Sequence, residues 1–434
     1  MQTKIQDKIT RYVNENKNWL INNIFDVVSQ NTINRPPGGN ENNGQKIIEK
    51  IFRELDIEID RFAPDDVSGF KDKPYFLKGR TYKNRDNIIG CAGAGSGFTL
   101  IFNGHIDTVP SDKFIWTKTE PFKPELIGDK IYGLGSCDMK AGIVTSIFAL
   151  KIIKELGIKI KGKVIIESAV DEEFGGANGS LACVYRGYTG DLAIITEPSS
   201  MNICVSNVCS KTLLLIVSGG EGLNYFGKKF THTNPIILMS KLLLAIKDYE
   251  EYLNSLKDQY PVYKKIKKPF NFLFSDIEAG EIGPDKIMTT PGQCLSRIYI
   301  MNYPDISNKK FDSMLLSFLN NYPDLKKALK ENIIQIKDYS RFIEGGEIDL
   351  KNKNIKKIIY DIKRNSRELT GRNLSTGAAL GGTDFFAFNN YGKTPCIVLG
   401  PGGGNLHAAD EFVELGDLLD LSKIFAAFIY DYCC

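Results

Sequence analysis

Two histidines and several carboxylates stand where short apolar runs of this sequence end, which is a pattern that could build a metal site. They are His105 and Asp107 after residues 98–102, Asp171 to Glu173 after 164–166, Glu197 after 192–195, and His407 in the glycine-rich chain after 396–399. In an open α/β sheet, the carboxyl ends of parallel strands face one crevice. Asp138, just before an apolar helical stretch, is expected at the same edge. Imidazole nitrogens and carboxylate oxygens together form a ligand set that zinc accepts.

Charge favours two ions over one. A single Zn²⁺ facing Asp138, Glu173 and Glu197 leaves an excess negative charge, whereas two ions leave one positive charge that a hydroxide neutralises. We therefore expect two divalent ions bridged by Asp138, about 3.5 to 4 Å apart, with a bridging water whose pKa is lowered towards about 7.

The remaining polar groups have roles around such a pair of ions. Neighbouring residues on an extended segment point to opposite sides, so one of Glu172 and Glu173 can bind metal while the other serves as general base and acid. Asp107 follows His105 by two residues, and we expect its carboxylate to accept a hydrogen bond from the remote imidazole N–H.

Each of these signals also has a structural interpretation. His105 and Asp107 alone could be an ordinary hydrogen-bonded pair, and Asp138 before a helix is the expected N-cap. Glu197 could simply end a strand, and His407 could cap a loop. The metal site rests on their joint occurrence at strand ends and a helix start.

The fold class follows from the periodicity of the same apolar runs. Residues 98–102, 164–166, 192–195 and 396–399 are short, apolar and rich in β-branched residues, as interior strands covered on both faces are. Residues 139–156 and 350–370 show helical periodicity. We predict an α/β fold with a mostly parallel sheet flanked by helices.

Residues 208–340 change in character. A strand at 212–218, a helix from about 235 to 256, a strand at 294–301 and a helix from about 308 to 321 predict a small inserted α+β domain. The catalytic metal-binding domain is therefore expected to be discontinuous, comprising residues 1–207 and 341–434.

Composition narrows the class of partner. The chain has 434 residues and a formal net charge of +3, from 55 basic and 52 acidic side chains. So small a net charge gives no strong electrostatic attraction to nucleic acid or to an anionic membrane. No apolar run has the length of a membrane span, and the nine cysteines show no zinc-finger spacing. A cytoplasmic protein with a small-molecule substrate is the expectation.

Several motifs together resemble the dizinc metallopeptidase family that includes acetylornithine deacetylase, succinyl-diaminopimelate desuccinylase and the aminoacylases. The matching segments are NRPPG at 34–38 with Glu41, NGHIDTVP at 103–110, GLGSCDMKAG at 133–142, DEEFGGANGS at 171–180, ITEPS at 195–199, GGTD at 381–384, and GPGGGNLHAADEFV at 400–413. The resemblance implies a zinc-exopeptidase-like catalytic domain.

The resemblance also implies roles for individual residues. One ion is expected on His105, Asp138 and Glu197, and the other on Asp138, Glu173 and His407, with Glu172 as general base and Asp107 supporting His105. Zn²⁺ is the expected metal, although Co²⁺ or Mn²⁺ suits the same ligands.

The insert at 208–340 resembles the family's lid or dimerisation domain, which implies a homodimer. In dimeric members a lid histidine reaches the partner's active site and stabilises the oxyanion, and His232 lies in a segment that resembles that region. Arg297 falls near the family's arginine for the substrate carboxylate.

The expected function is hydrolysis of the amide bond of an N-acylated amino acid or a related small carboxylate. A dipeptidase or exopeptidase would use identical chemistry, because only the pocket distinguishes a free amine from an acyl chain. A non-catalytic metal-binding module is the alternative from another class. The uncoordinated glutamate beside the ligands argues against it.

Overall fold

The protein divides into two compact units in the computed structural model. The structure describes residues 2–176, 178–220, 222 and 234–434. The first unit comprises residues 1–206, 346–379 and 383–434, and the second comprises residues 207–345 and 380–382. The catalytic and lid roles that we assign to residues 1–207 with 341–434 and to residues 208–340 stay predictions.

The helices are α1 (Gln2–Val28), α2 (Asn42–Glu54), α3 (Ala141–Glu155), α4 (Gly179–Arg186), α5 (Pro235–Ser255), α6 (Asn308–Leu319), α7 (Pro323–Lys330), α8 (Lys353–Thr370) and α9 (Leu415–Cys433). Among the residues described, no helix combines the length and the apolar character that crossing a bilayer requires.

The strands are β1 (Asn34–Arg35), β2 (Gly38–Gly39), β3 (Glu58–Phe62), β4 (Asn87–Ala92), β5 (Thr99–His105), β6 (Glu125–Ile127), β7 (Lys130–Tyr132), β8 (Lys163–Ala169), β9 (Leu192–Ile195), β10 (Ile203–Asn207), β11 (Cys209–Ser218), β12 (Leu273–Glu278), β13 (Gln293–Asn302), β14 (Ile334–Asp338), β15 (Gly346–Glu347), β16 (Thr376–Ala379), β17 (Cys396–Val398), β18 (Gly403–Gly404) and β19 (Phe412–Glu414).

A mixed sheet forms the centre of the first unit, in the order β15-β10-β17-β9-β5-β8-β4-β3, with β16 beside β10. Its middle strands β17, β9, β5 and β8 are parallel. They match the four apolar runs expected as interior strands, except that Phe98 and Leu399 lie just outside β5 and β17. The mostly parallel α/β class is therefore confirmed.

Burial on both faces explains why these runs form interior strands. In β5, Leu100, Ile101 and Phe102 are each at most 1% exposed although they alternate in direction. Helices α3 and α9 pack against β5 and β8. The ring of Phe102 lies 4.9 Å from that of Phe425 in α9.

A second, antiparallel sheet in the same unit has the order β18-β19-β7-β6. Strands β18 and β19 flank the loop that carries His407, and β7 leads into residues 133–138. Pairing of Phe412 with Tyr132 therefore brings two distant segments of the predicted site together.

The second unit contains an antiparallel sheet in the order β12-β13-β11-β14. Helix α5 packs against β11 and β13, and α7 packs against β14. The predicted strands at 212–218 and 294–301 lie within β11 and β13. Strands β12 and β14 and helix α7 were not expected.

Glu167 is an ionisable residue buried within the central sheet. It lies in β8 and is 0% exposed. One carboxylate oxygen accepts a hydrogen bond from Asn103 Nδ2 at 3.0 Å, while the described residues offer Oε1 no hydrogen-bond partner. Burial, reinforced by the charge of Asp384, raises the pKa of Glu167 to about 8.

Glu167→Gln is expected to gain stability relative to the native chain as pH rises. In the unfolded chain the carboxyl loses its proton above about 4.5, while in the folded chain it keeps the proton until about 8. The native chain therefore loses about 1.4 kcal/mol of stability for each pH unit in this window. Thermal melts of both proteins from pH 4 to pH 8 measure the difference. Glu125→Gln, at an exposed strand position, is the control. A difference in melting temperature between Glu167→Gln and native protein that does not change with pH would contradict the raised pKa of Glu167.

Candidate metal centre

Parallel strands bring three of the predicted segments to one sheet edge. In register, His105 at the end of β5 stands beside Ala169 at the end of β8. On its other side, Asn103 of β5 pairs with Ile195 at the end of β9. Glu172, Glu173 and Glu197 therefore follow strand ends that lie next to His105.

The first half of the cluster surrounds His105, which is 1% exposed. Its Nε2 atom lies 3.1 Å from Asp138 Oδ1 and 3.4 Å from Glu197 Oε1. Burial alone lowers the pKa of His105, but the charge of Glu197 and hydrogen bonds to both carboxylates raise it well above its usual value.

The second half surrounds His407, whose side chain is half-exposed. Its Nε2 atom lies 2.9 Å from Glu173 Oε2 and 3.3 Å from Asp138 Oδ2. Asp138 thus directs one oxygen to each imidazole. It does not cap α3, because that helix begins at Ala141 and its N-cap position is Lys140.

Glu172 lies beside the first half. Its Oε2 atom is 3.9 Å from His105 Nε2, and its side chain is 11% exposed. Glu172, Glu197 and His105 each place one ligand atom within 4.8 Å of the others, as do His105, Asp138 and Glu173. Burial, opposed by His105 and reinforced by Glu197, raises the pKa of Glu172 well above its usual value.

The charge of this cluster fits a bound cation. Four carboxylates, those of Asp138, Glu172, Glu173 and Glu197, share a largely buried site with two imidazoles. Burial raises the pKa of Glu173 and Glu197, because carboxylates removed from water resist ionisation unless positive charge compensates. Nitrogen and oxygen donors converge on both sides of Asp138, and divalent ions such as zinc accept that set.

Asp107 supports the site differently from the expectation. The Nδ1 atom of His105 lies 3.0 Å from the main-chain oxygen of Asp107, while the nearest carboxylate oxygen is 3.6 Å away. The expected imidazole contact is therefore made by the main chain. The carboxylate is drawn elsewhere, because it accepts the backbone N–H groups of Glu172 at 3.2 Å and Glu173 at 3.1 Å.

A buried network extends from Asp107 and was not expected from the sequence. Asn34 Nδ2 donates to Asp107 at 2.8 Å and to Asp171 at 3.0 Å. Asp171, just before the glutamate pair, has a positive φ of 67° and also accepts hydrogen bonds from Arg80, Tyr82 and Arg85. Asn34 lies in a quoted motif, but Arg80 and Arg85 lie in a lysine-rich loop whose composition indicates solvent exposure.

Two further residues of the predicted site, His232 and Arg297, belong to the stretch predicted as an insert. His232 falls outside the residues that the structure describes. Arg297 belongs to β13 of the second unit, where Asp276 accepts from its Nε at 2.7 Å and Tyr339 Oη lies 3.1 Å from its Nη1. Its guanidinium is therefore already paired within that unit.

Comparison with known proteins yields a family and a set of relatives. The profile of peptidase family M20/M25/M40 matches residues 101–431. N-formyl-4-amino-5-aminomethyl-2-methylpyrimidine deformylase of Bacillus subtilis (strain 168) is 26% identical, over 98% of this chain and 97% of that protein. Acetylornithine deacetylase of Buchnera aphidicola subsp. Schizaphis graminum (strain Sg) is 28% identical, over 81% of this chain and 84% of that protein.

Solved structures show the same fold. The di-peptidase Dug1p from Saccharomyces cerevisiae superimposes with a TM-score of 0.71 at 14% identity, covering 98% of each chain.

Arg85→Met is expected to destabilise the protein by about 3 to 5 kcal/mol, because Glu41 would remain buried without its cation. Both side chains are at most 1% exposed, and Arg85 Nε lies 2.8 Å from Glu41 Oε2. Arg53→Met, which breaks a pair with Glu49 where the arginine is 69% exposed, is the control and should cost under about 1 kcal/mol. Urea denaturation measures both, and equal losses would refute the distinction.

Proposed function

The chain belongs to peptidase family M20/M25/M40, and on this premise we propose that it hydrolyses the amide bond of a small N-acylated amine, foremost an N-acylated amino acid or related carboxylate. The family makes it a metal-dependent amidohydrolase or peptidase. The observation that carries the proposal is Asp138, whose two oxygens face two imidazoles at 3.1 and 3.3 Å, with the carboxylate of Glu172 beside one of those imidazoles.

We assign the ligands to two ions, most simply Zn²⁺, with Co²⁺ or Mn²⁺ suited to the same donors. His105, Asp138 and Glu197 would hold one ion, and Asp138, Glu173 and His407 would hold the other. When bound, such ions polarise a carbonyl and make a water molecule acidic enough to react at neutral pH.

Glu172 is the proposed general base and acid. It would take a proton from the attacking water and return it to the leaving nitrogen as the C–N bond breaks, which yields a carboxylic acid and an amine. Burial favours the protonated form of Glu172, which suits a group that must hold a proton between two steps. Asp107 would fix the backbone of the glutamate pair through its two N–H contacts.

Two residues of the second unit complete the proposal. Arg297 would bind a substrate carboxylate, and His232, from a partner subunit, would stabilise the oxyanion of the tetrahedral intermediate. In support, Arg297 is 40% exposed and retains N–H groups beyond those paired with Asp276.

A second candidate substrate is an N-formylated aminomethylpyrimidine. The Bacillus subtilis deformylase named for such a compound aligns over 98% of this chain. The pairing of Arg297 with Asp276 favours a substrate without a carboxylate, because a carboxylate would compete with Asp276 for the guanidinium.

We expect turnover of N-acylated amines that is lost in Glu172→Gln, by about 10²-fold or more in kcat, because the amide cannot accept the proton. A panel of N-acetyl and N-succinyl amino acids, N-formyl-4-amino-5-aminomethyl-2-methylpyrimidine and dipeptides, followed by amine release, measures this.

The same panel separates the alternatives. Turnover of dipeptides alone would indicate an exopeptidase and overturn the deacylase proposal. Removal of metal by a chelator should abolish turnover and Zn²⁺, Co²⁺ or Mn²⁺ should restore it. Unchanged activity in Glu172→Gln would refute its role as the base.

We also propose a homodimer formed through the second unit. Strand β12 lies at the edge of its sheet and every residue in it is exposed, including Leu273 at 60% and Ile277 at 54%. Next to it, a surface groove of about 430 Å³ is lined by residues that include Leu244 of α5 and Phe274 of β12. Among the described strands, β12 pairs with β13 alone, and an edge strand beside apolar side chains is suited to pairing with a second copy.

Leu244→Glu should convert a dimer of two 48.5 kDa chains into monomers, because it places a charge in the apolar groove. Light scattering after size exclusion measures the mass, and a dissociation constant raised at least about 100-fold is expected, which is about 2.7 kcal/mol. Tyr360→Glu, at an exposed position of α8 in the first unit, is the control. A native protein with the mass of a monomer would refute the homodimer proposal.

A cytoplasmic location is part of the proposal. All nine cysteines are free in the structure, which suits a reducing compartment.

A further inference from the structure

Glu411 is a buried carboxylate beside the metal centre that the proposed reaction does not use. It directly precedes β19 and is 1% exposed. Its oxygens accept three backbone N–H groups: those of Gly135 at 2.8 Å, Cys137 at 2.9 Å and Asp138 at 3.0 Å. The segment 135–138 therefore curls around one side chain.

The small antiparallel sheet brings the two segments together. Strand β19 pairs with β7, and the N–H of Gly133 donates to the main-chain oxygen of Glu411 at 3.0 Å. Beyond β7 the chain must turn sharply, and Gly135 does so with a φ of 75°. A Cβ atom at Gly135 would lie 2.5 Å from Thr108 Cγ2, so a larger residue would displace the turn.

This contact reaches the main chain of Asp138 itself. Asp138 is not part of α3 and is not its N-cap, since the helix begins three residues later. Its own N–H is fixed by Glu411, and its carboxylate then reaches His105 on one side and His407 on the other. Glu411 also follows His407 by four residues, so a single side chain joins the two segments that carry Asp138 and His407.

The geometry of the contact favours a carboxylate over an amide. Three N–H donors need acceptor oxygens, and an ionised carboxylate offers only acceptors. Glutamine would present one oxygen and would place an NH₂ group against N–H donors. With both oxygens engaged by the backbone, Glu411 is a poor metal ligand, and it is absent from the groups of described residues that could hold an ion.

We propose that Glu411 is a positioning residue that holds Asp138 in its bridging orientation, so that both metal ions depend on it. The inference rests on the proposed dinuclear centre. It predicts that Glu411→Gln weakens the binding of both ions, because it disturbs Asp138, the ligand that both ions share. Glu197→Gln removes a ligand from one ion only.

The test titrates metal-free full-length protein with Zn²⁺ alone, followed by calorimetry. Native protein is expected to bind two ions, and Glu411→Gln should weaken both events by about 10- to 100-fold. Glu197→Gln should weaken one strongly. Glu414→Gln is the matched control, because it removes a charge only three residues further along the chain, where the side chain is partly exposed and its ion pair among the described residues is with Lys130 at 3.5 Å.

A second measurement does not depend on metal. Hydrogen exchange of the peptide that spans residues 134–139, in metal-free protein, should be at least about 10-fold faster in Glu411→Gln than in native protein or Glu414→Gln. Glu411→Asp, which keeps the charge on a shorter side chain, should lie between them, and it replaces the glutamine variant if that variant does not fold.

The outcomes separate this inference from the proposed function. Native protein that binds fewer than two ions would refute the dinuclear centre. Slow hydrogen exchange at residues 134–139 that depends on Glu411 would still support its positioning role. Unchanged hydrogen exchange in Glu411→Gln, or weaker binding of only one of the two ions, would overturn the positioning role of Glu411. The dinuclear centre would remain supported.

Discussion

Mutual repulsion among buried carboxylates is the constraint on which the first unit depends. Asp138, Glu172, Glu173 and Glu197 are each at most 14% exposed and approach the same two imidazoles. In a site with little water, such charges raise one another's pKa and push the segments apart. A folded chain keeps them together only where the framework is rigid and positive charge is supplied. That requirement explains both the set of nitrogen and oxygen donors and the buried hydrogen-bond network that supports the segments carrying them.

The framework supplies rigidity through hydrogen bonds to the backbone rather than to the ligand side chains alone. Asp107 holds the N–H groups of the glutamate pair, and Glu411 holds the turn that presents Asp138. Behind the pair, Asp171 is fixed by the cations of Arg80 and Arg85. Because these supports are buried carboxylates, each needs several donors of its own, and the polar network grows outward until it reaches arginines.

The placement of the site was predictable from sequence because its signals are local. An apolar run followed by a polar residue marks a strand end wherever it occurs, so His105 and Glu197 could be assigned to one sheet edge in advance. Arg80 and Arg85 carry no such signal, since charged residues in a polar loop are typical of solvent exposure. Strand β12 was missed for a related reason: it is exposed on both faces, so no burial pattern distinguishes it from a loop. For Asp107, sequence indicated the residue but not which of its atoms meets the imidazole.

The metal centre alone does not select a substrate, because every amide carbonyl presents the same oxygen and nitrogen to it. Selection must come from groups that meet the rest of the substrate, and Arg297 is the predicted one. Its guanidinium already has Asp276 and Tyr339 as partners. With Arg297 in the role that we propose, a substrate carboxylate would bind as a second anion beside Asp276, whereas a neutral or cationic group would meet Asp276 without that competition. Under that proposal, the electrostatics of this pair, rather than those of the metal ligands, would separate acylated amino acids from acylated amines as substrates.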